Sequence, residues 1–317
     1  MASSMGGAVG KDLYEQVIDT LNSIFGSHPG YRPVHAKGIM SEGNFRATTD
    51  ARSLTRAAHM QGDRIPVQVR FSDFSGVPVV RDGDPTASPR GMAIRFQLQG
   101  DSTTDIVAHS YNGFPARDAA EFLSFLRTLA SSGSGASTPT ALDTFLAGHP
   151  AARLFAESPK PAPQSLATES YYAVDTFQFI NREEVARFGR YRILPLAGEQ
   201  HLDANEAAKR PDDYLFSELA ERIGRNPVEF RLVVQLAADS DPIDDPTRPW
   251  LNDRQQMELG TLTIAKRMAE SDSVQRTISF DPARLPDGIE PGDPLIEVRS
   301  VIYAVAARRR LPLTSGT

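Results

Sequence analysis

The chain has 317 residues, of which 40% are hydrophobic and 23% charged, with a formal net charge of −6. That is enough apolar material for one large core or two small ones, and the acidic balance argues against a general nucleic-acid binder, which needs a basic face. There is no cysteine, which excludes disulfides, thiolate metal sites, iron–sulfur clusters and cysteine nucleophiles.

Met1 to Gly10 is small and polar. It lacks the basic and apolar regions of a signal peptide and reads as a disordered arm or tag remnant ahead of a single domain over 11–317. No apolar run is long enough to cross a bilayer, so a cytoplasmic location is expected. Lys11 to Phe25 carries Leu13, Val17, Leu21 and Ile24 near helical spacing,, and Gly26, Pro29 and Gly30 end that helix. The stretch around His35 follows as an extended segment or loop. Val67 to Phe71, Met92 to Phe96 and Asp105 to Ala108 read as three strands. Turn residues at Gly83–Pro85 and Ser88–Gly91 separate the first two, and the set predicts an antiparallel meander.

Arg117 to Ala130 reads as a helix with Phe122, Phe125, Leu126 and Leu129 on one face. Ser131 to Ser137 reads as a mobile Gly/Ser loop. Short helices over Ala141–Glu157 and a proline-punctuated connector over Pro159–Pro163 follow. A second strand group spans Tyr172–Ile180, Phe188–Leu194, Val228–Leu236 and Leu259–Ile264, with a helix at Asp212–Ile223. Pro294 to Arg310 reads as a last helix. The class is α+β, with enough antiparallel strands to close one barrel.

Two distant segments carry the chemistry: Arg32-Pro33-Val34-His35-Ala36-Lys37-Gly38 and Arg299-Ser300-Val301-Ile302-Tyr303. Histidine is the side chain best suited to moving a proton near neutral pH, although a lone histidine beside a valine is more often structural. Tyr303 lies four residues after Arg299, so both share one helix face. A guanidinium beside a phenol favours the phenolate, and a phenolate is one of the ligands that hold haem iron. The same pair also fits an exposed stacking contact. Arg310 reads either as part of a solvated basic helix end with Arg308 and Arg309 or as a fork for a haem propionate. Arg32 and Arg70 suit the same purpose, and Arg70, inside an apolar strand, is either outward-facing or paired. Gly6 to Lys11 hints at a phosphate loop but lacks its first glycine, its Ser/Thr and a preceding strand. Asp241 to Asp245, with Pro242 and Pro246, reads as an exposed turn rather than a calcium loop.

In this order and spacing, the chain resembles the haem catalase superfamily over nearly all its length. The matching segments are Val34–Gly38, Val69–Ser72, Pro89–Phe96, Asp105–Val107, Arg117–Ala119, Asp175–Phe177, Arg299–Tyr303 and Arg310. The resemblance implies a catalase-like closed eight-stranded antiparallel β-barrel with surrounding helices and haem b as cofactor. It implies His35 as the distal acid–base residue, Ser72 as its orienting partner and Val34 as a constriction above the iron. Arg32, Arg70 and Arg310 would bind propionates, Phe122 would pack near the haem, and Tyr303 would be the iron ligand, assisted by Arg299. The family carries a distal asparagine four residues after the aspartate of its strand; here that position is His109, with Ser110 and Asn112 nearby.

The chain also lacks the long N-terminal arm and C-terminal helical region of full catalases. It is therefore similar to the small catalase-related peroxidases, and a homodimer or monomer is expected. The function implied is a peroxidase that reduces organic hydroperoxides and hydrogen peroxide with a small organic electron donor, with weak catalase activity. His109 joins His35, Ser72 and Arg299 as the candidate catalytic set. Two alternatives are a haem hydroperoxide isomerase or dehydratase of the allene oxide synthase type and a barrel that binds haem without catalysis.

Overall fold

Val67, Val69 and Phe71 alternate with more polar neighbours and are buried to the last few per cent, and this apolar row is one of eight that line a closed barrel. The computed structural model describes residues 6–133 and 135–311, with side chains from residue 13 onward. In chain order it contains α1 (Gly6–Phe25), β1 (Gly38–Ala47), α2 (Ala51–Leu54), β2 (Arg64–Ser72), β3 (Gly91–Gln97) and β4 (Thr103–His109). Next come α3 (Ala119–Ser131), α4 (Ala141–Gly148), α5 (Pro150–Glu157), β5 (Tyr171–Tyr172), β6 (Phe177–Ile180) and β7 (Ala186–Pro195). The chain continues with α6 (Ala204–Lys209), α7 (Tyr214–Arg225), β8 (Val228–Leu236), β9 (Gln256–Arg267), α8 (Ser271–Thr277), β10 (Ile289–Pro291) and α9 (Leu295–Arg310).

The strand order is β7–β5–β4–β3–β2–β1–β9–β8, and β8 pairs back onto β7. All pairings are antiparallel. Closure leaves no open edge along the barrel; β6 and β10 extend the sheet beside one end of β7. Side chains fill the interior: Phe45, Phe71, Phe96, Tyr171, Phe179 and Phe230 are fully buried. Phe45 and Phe96 meet edge to face at 5.4 Å, the geometry that aromatic quadrupoles favour.

A second apolar cluster lies outside the barrel. Val17, Ile18 and Leu21 of α1 pack with Leu123 and Leu126 of α3 and Val305 of α9. Arg308 and Arg309 of α9 pair with Glu15 of α1, and Arg309 reaches Asp19 at 2.5 Å. Such exposed pairs are worth roughly 0–1 kcal/mol each, so apolar packing sets the position of this helical layer. The space between the layer and the wall made by β2, β3 and β4 is the main cavity.

Several elements depart from the sequence reading. β1 pairs with both β2 and β9 and was not expected. The register of its pairing with β9 slips between Glu42 and Gly43, which interrupts the alternation that marks a strand. The strand expected over Tyr172–Ile180 is two strands, β5 and β6, with Ala173–Thr176 between them. α1 begins at Gly6, inside the segment expected to be a disordered arm; residues 1–5 of that segment, and residue 134 of the Gly/Ser loop, lie outside the described residues. The Asp241–Asp245 stretch is a turn, but it is tied down rather than free: Arg190 donates to the carbonyl of Asp245 at 3.0 Å and Arg254 pairs with Asp241 at 2.7 Å. Among the described residues, no helix is long and apolar enough to cross a membrane.

Candidate active site

The main cavity is partly open to solvent, with about 810 Å³ of empty space counted out to its mouth. Its walls include Arg32, Val34, His35, Arg70, Ser72, His109, Arg299, Tyr303 and Arg310. Nine of the ten residues singled out from sequence therefore converge on one space, although they come from loop, strand and helix positions up to 278 residues apart (310 − 32). The tenth, Phe122, does not line it. Phe122 faces Phe114, ring centroids 5.4 Å apart, and packs in the helical cluster.

His35 sits in the loop between α1 and β1 with φ at 57°. A non-glycine residue adopts this left-handed backbone at a cost and persists there only when its surroundings over-determine it. Here the His35 N–H donates to the Phe74 carbonyl at 2.7 Å and Arg70 donates to the His35 carbonyl at 2.8 Å. The ring meets Phe74 edge to face at 5.4 Å, and Nδ1 shares a hydrogen bond with Ser72 Oγ at 3.0 Å. Desolvation, then the charges of Arg70 and Arg32, lower its pKa to about 3, so the imidazole is uncharged at neutral pH.

His109 closes β4. The backbone N–H of Tyr111 donates to its Nδ1 at 3.3 Å, so the proton of the neutral ring lies on Nε2. Desolvation, then Arg299, His35 and Lys160, lower its pKa to about 3. The two other candidates at this position are placed elsewhere. Ser110 Oγ accepts from the Arg90 N–H at 2.9 Å, and neither Ser110 nor Asn112 lines the cavity.

On the α9 side, Arg299 donates to the Tyr303 hydroxyl at 3.0 Å and pairs through its other nitrogen with buried Asp175. Burial opposes the guanidinium charge, but Asp175 and Tyr303 outweigh it and raise the pKa above the usual arginine value. Arg299 is thus a fixed cation held on the phenol from behind.

At the cavity rim, Arg32 donates to the carbonyls of Gln275 and Ile278 at 2.6 and 2.8 Å, and Arg310, at the end of α9, to those of Arg276 and Ile278 at 2.7 and 2.9 Å. Arg70 donates to the carbonyl of Ala36 and to the Gln275 side chain, both at 3.3 Å, while its Nε has no partner. Among the described residues no carboxylate pairs with any of the three. Desolvation lowers all three pKa values, with Arg70 and Arg310 adding to the effect on Arg32; Arg70 falls to about 9 and still carries its charge at neutral pH. Buried charges are normally compensated, so this rim is built for anionic groups.

Sequence reading assigned no role to four residues that shape the site. A Cβ on Gly91 would come 2.6 Å from Ser72 Oγ and 2.8 Å from His35 Nδ1, and one on Gly38 would come 2.4 Å from the Arg70 guanidinium. Asp175 anchors Arg299, and Gln275 bridges Arg32 and Arg70. Gly38, Gly91 and Asp175 fall inside the matching segments, which was the available signal; Gln275 had none.

The chain belongs to the catalase family, whose model, Catalase, matches residues 12–315. Within that family it aligns end to end with catalase-related peroxidases. It is 36% identical over 308 residues to the catalase-related peroxidase of Mycolicibacterium paratuberculosis, covering 95% of this chain and 96% of that one. It is 32% identical over 301 residues to the catalase-related peroxidase of Synechococcus elongatus, covering 93% and 88%. Catalase A from Saccharomyces cerevisiae superposes with a TM-score of 0.80 at 21% identity, covering 93% of this chain and 64% of that one. A fungal catalase gives 0.79 at 22%, covering 94% and 62%. The chain therefore spans about three fifths of those solved catalases.

The catalase family generally binds haem. The residues present fit that group: three guanidiniums without carboxylate partners, one orphaned Nε among them, and a phenol backed by a cation, all on one cavity.

Proposed function

We propose that the protein is a haem b peroxidase that reduces organic hydroperoxides and hydrogen peroxide with a small organic electron donor. The observation that carries this reading is the sharing of one cavity by the uncharged His35 imidazole, the Arg299-backed Tyr303 phenol and three arginines without carboxylates. Tyr303 would ligate the iron, and Arg32, Arg70 and Arg310 would hold the propionates through charge-assisted hydrogen bonds. Val34 would narrow access on the His35 side, and Phe122 would support the helical layer next to the group. When bound, haem supplies the redox chemistry of peroxide cleavage.

The chain's own residues move protons and fix the substrate. His35 accepts the proton from the hydroperoxide oxygen and returns it to the departing oxygen, so that water or an alcohol leaves. Its uncharged state at neutral pH is the form that can accept, and the bond from Nδ1 to Ser72 leaves Nε2 for the substrate,. His109 presents Nε2–H as a donor to the second peroxide oxygen, doing with an imidazole what the family's asparagine does with an amide. Arg299 keeps positive charge beside the Tyr303 oxygen throughout turnover.

The test is consumption of cumene hydroperoxide and of hydrogen peroxide by the haem-loaded protein, with and without a reducing dye. Turnover of both that depends on the dye, with only slow dioxygen release without it, supports the proposal. Rapid dye-independent dioxygen release would make it a catalase. Quantitative conversion of a fatty-acid hydroperoxide without the dye would make it an isomerase.

A further inference from the structure

We infer that the electron donor docks in a second cavity beside the arginine rim, and that it is a phenol carrying a carboxylate. This deepens the peroxidase reading and rests on it. The second cavity is open to solvent and shares Ile18, Arg32, Pro33, Ala306 and Arg310 with the main one. One layer of side chains therefore separates a molecule held there from the cofactor edge that the arginines would grip.

The charge of the second cavity selects an anion. Arg32, Arg309 and Arg310 line it, and no acidic residue does. Arg309 is balanced by Glu15 and Asp19. Arg32 and Arg310 form the wall shared with the main cavity, and among the described residues neither pairs with a carboxylate. The flat surfaces select a planar ring. Tyr31 is 38% exposed, and Pro29, Pro33 and His28 line the cavity beside it. Aromatic faces and guanidinium planes stack on such rings.

His28 supplies the proton acceptor. Its Nε2 bonds the Phe25 carbonyl at 3.0 Å. A carbonyl only accepts, so Nε2 carries a proton in this bond, and Nδ1 is the nitrogen left to receive one,. The donor's phenolic O–H bond breaks. Its electron would go to the haem group that the main cavity would hold, and its proton to His28 Nδ1 and on to water. Two donors serve each peroxide: ROOH + 2 ArOH → ROH + H2O + 2 ArO•.

The experiment compares 4-hydroxycinnamate with its uncharged methyl ester as donors to the holoenzyme, together with calorimetric binding of redox-inert 4-methoxycinnamate to the ferric protein. Ser27, exposed and on the cavity wall, is changed to glutamate to add negative charge without touching the core. We expect a KM at least tenfold lower for the acid than for the ester. In Ser27→Glu and at high salt that advantage collapses, and 4-methoxycinnamate binding weakens at least tenfold. A wild-type protein with no Soret band overturns this inference and the haem reading together. A normal Soret band and peroxide reaction, with equal KM for acid and ester and unchanged 4-methoxycinnamate binding in Ser27→Glu, overturns this inference alone.

Discussion

Ser72 Oγ and His35 Nδ1 meet at 3.0 Å because residue 91, on the strand beside Ser72, has no side chain. A methyl group there would lie within 2.8 Å of both partners, so at least one of them must shift and their hydrogen bond is disturbed. Gly91→Ala is expected to lower the rate of peroxide reaction at least tenfold, about 1.4 kcal/mol of barrier, while haem content stays near normal. Stopped-flow spectra after mixing with cumene hydroperoxide measure it; an unchanged rate would show that the Ser72–His35 geometry is not needed.

His35 itself should matter more. General acid–base groups contribute about 10²–10⁴-fold, so His35→Gln should lose at least a hundredfold in the same single-turnover experiment. Ser72→Ala, which removes only the orienting hydroxyl, should lose about tenfold. Equal losses in the two variants would assign the chemistry to the hydroxyl rather than the ring.

Asp175 should be a stability residue as well as a positioning one. It is fully buried and neutralises Arg299. Removing one partner of a buried ion pair strands the other, at a cost of about 3–5 kcal/mol. Asp175→Asn is expected to lower the urea midpoint and to shift the ferric absorption bands, because Arg299 is then free to leave the Tyr303 oxygen. A destabilised variant with unshifted bands would separate Asp175 from the iron-side chemistry.

His59 offers a test of pH dependence away from the site. It lies in the barrel core, 4.8 Å from the Phe96 ring, with Nδ1 unpartnered, and burial lowers its pKa to about 3. The unfolded chain therefore takes up this proton first. The stability it contributes is complete above about pH 6.5 and is lost as pH falls towards 3. Asp73, Glu169 and Asp293, each raised to about 7 chiefly by burial, act in the opposite sense from about pH 7 down to 4, so the total slope is muted. They are common to wild type and His59→Leu, so the difference isolates the histidine. Between pH 7.5 and 5.0 the variant should lose about 2 kcal/mol less stability than wild type. Parallel losses in urea titrations would contradict this.

Much of this was legible in the residues, for identifiable reasons. β2, β3, β4, β7, β8 and β9 carry alternation or apolar runs long enough to mark them. β1 does not, because its register shift at Glu42–Gly43 breaks the period. The helix α9 was evident, yet the split fate of its basic end was not. Arg308 and Arg309 point to acids on α1, whereas Arg310 turns into the cavity, a difference set by helix rotation and by a partner helix far away in sequence. Arg70 was open between outward-facing and paired. It is buried against carbonyls, an arrangement that needs the His35 loop folded over it. Likewise, His109, Ser110 and Asn112 are adjacent in sequence, and only the turn after β4 decides that the imidazole alone reaches the cavity.

Tyr303 would be the iron ligand in the cavity that it shares with His35, and the proposal depends on that role. Resonance Raman spectra of the ferric holoenzyme test it most directly. The account predicts iron–tyrosinate bands in the wild type that vanish in Tyr303→Phe while haem stays bound. A wild type without those bands, or a Tyr303→Phe variant that keeps them, would contradict it.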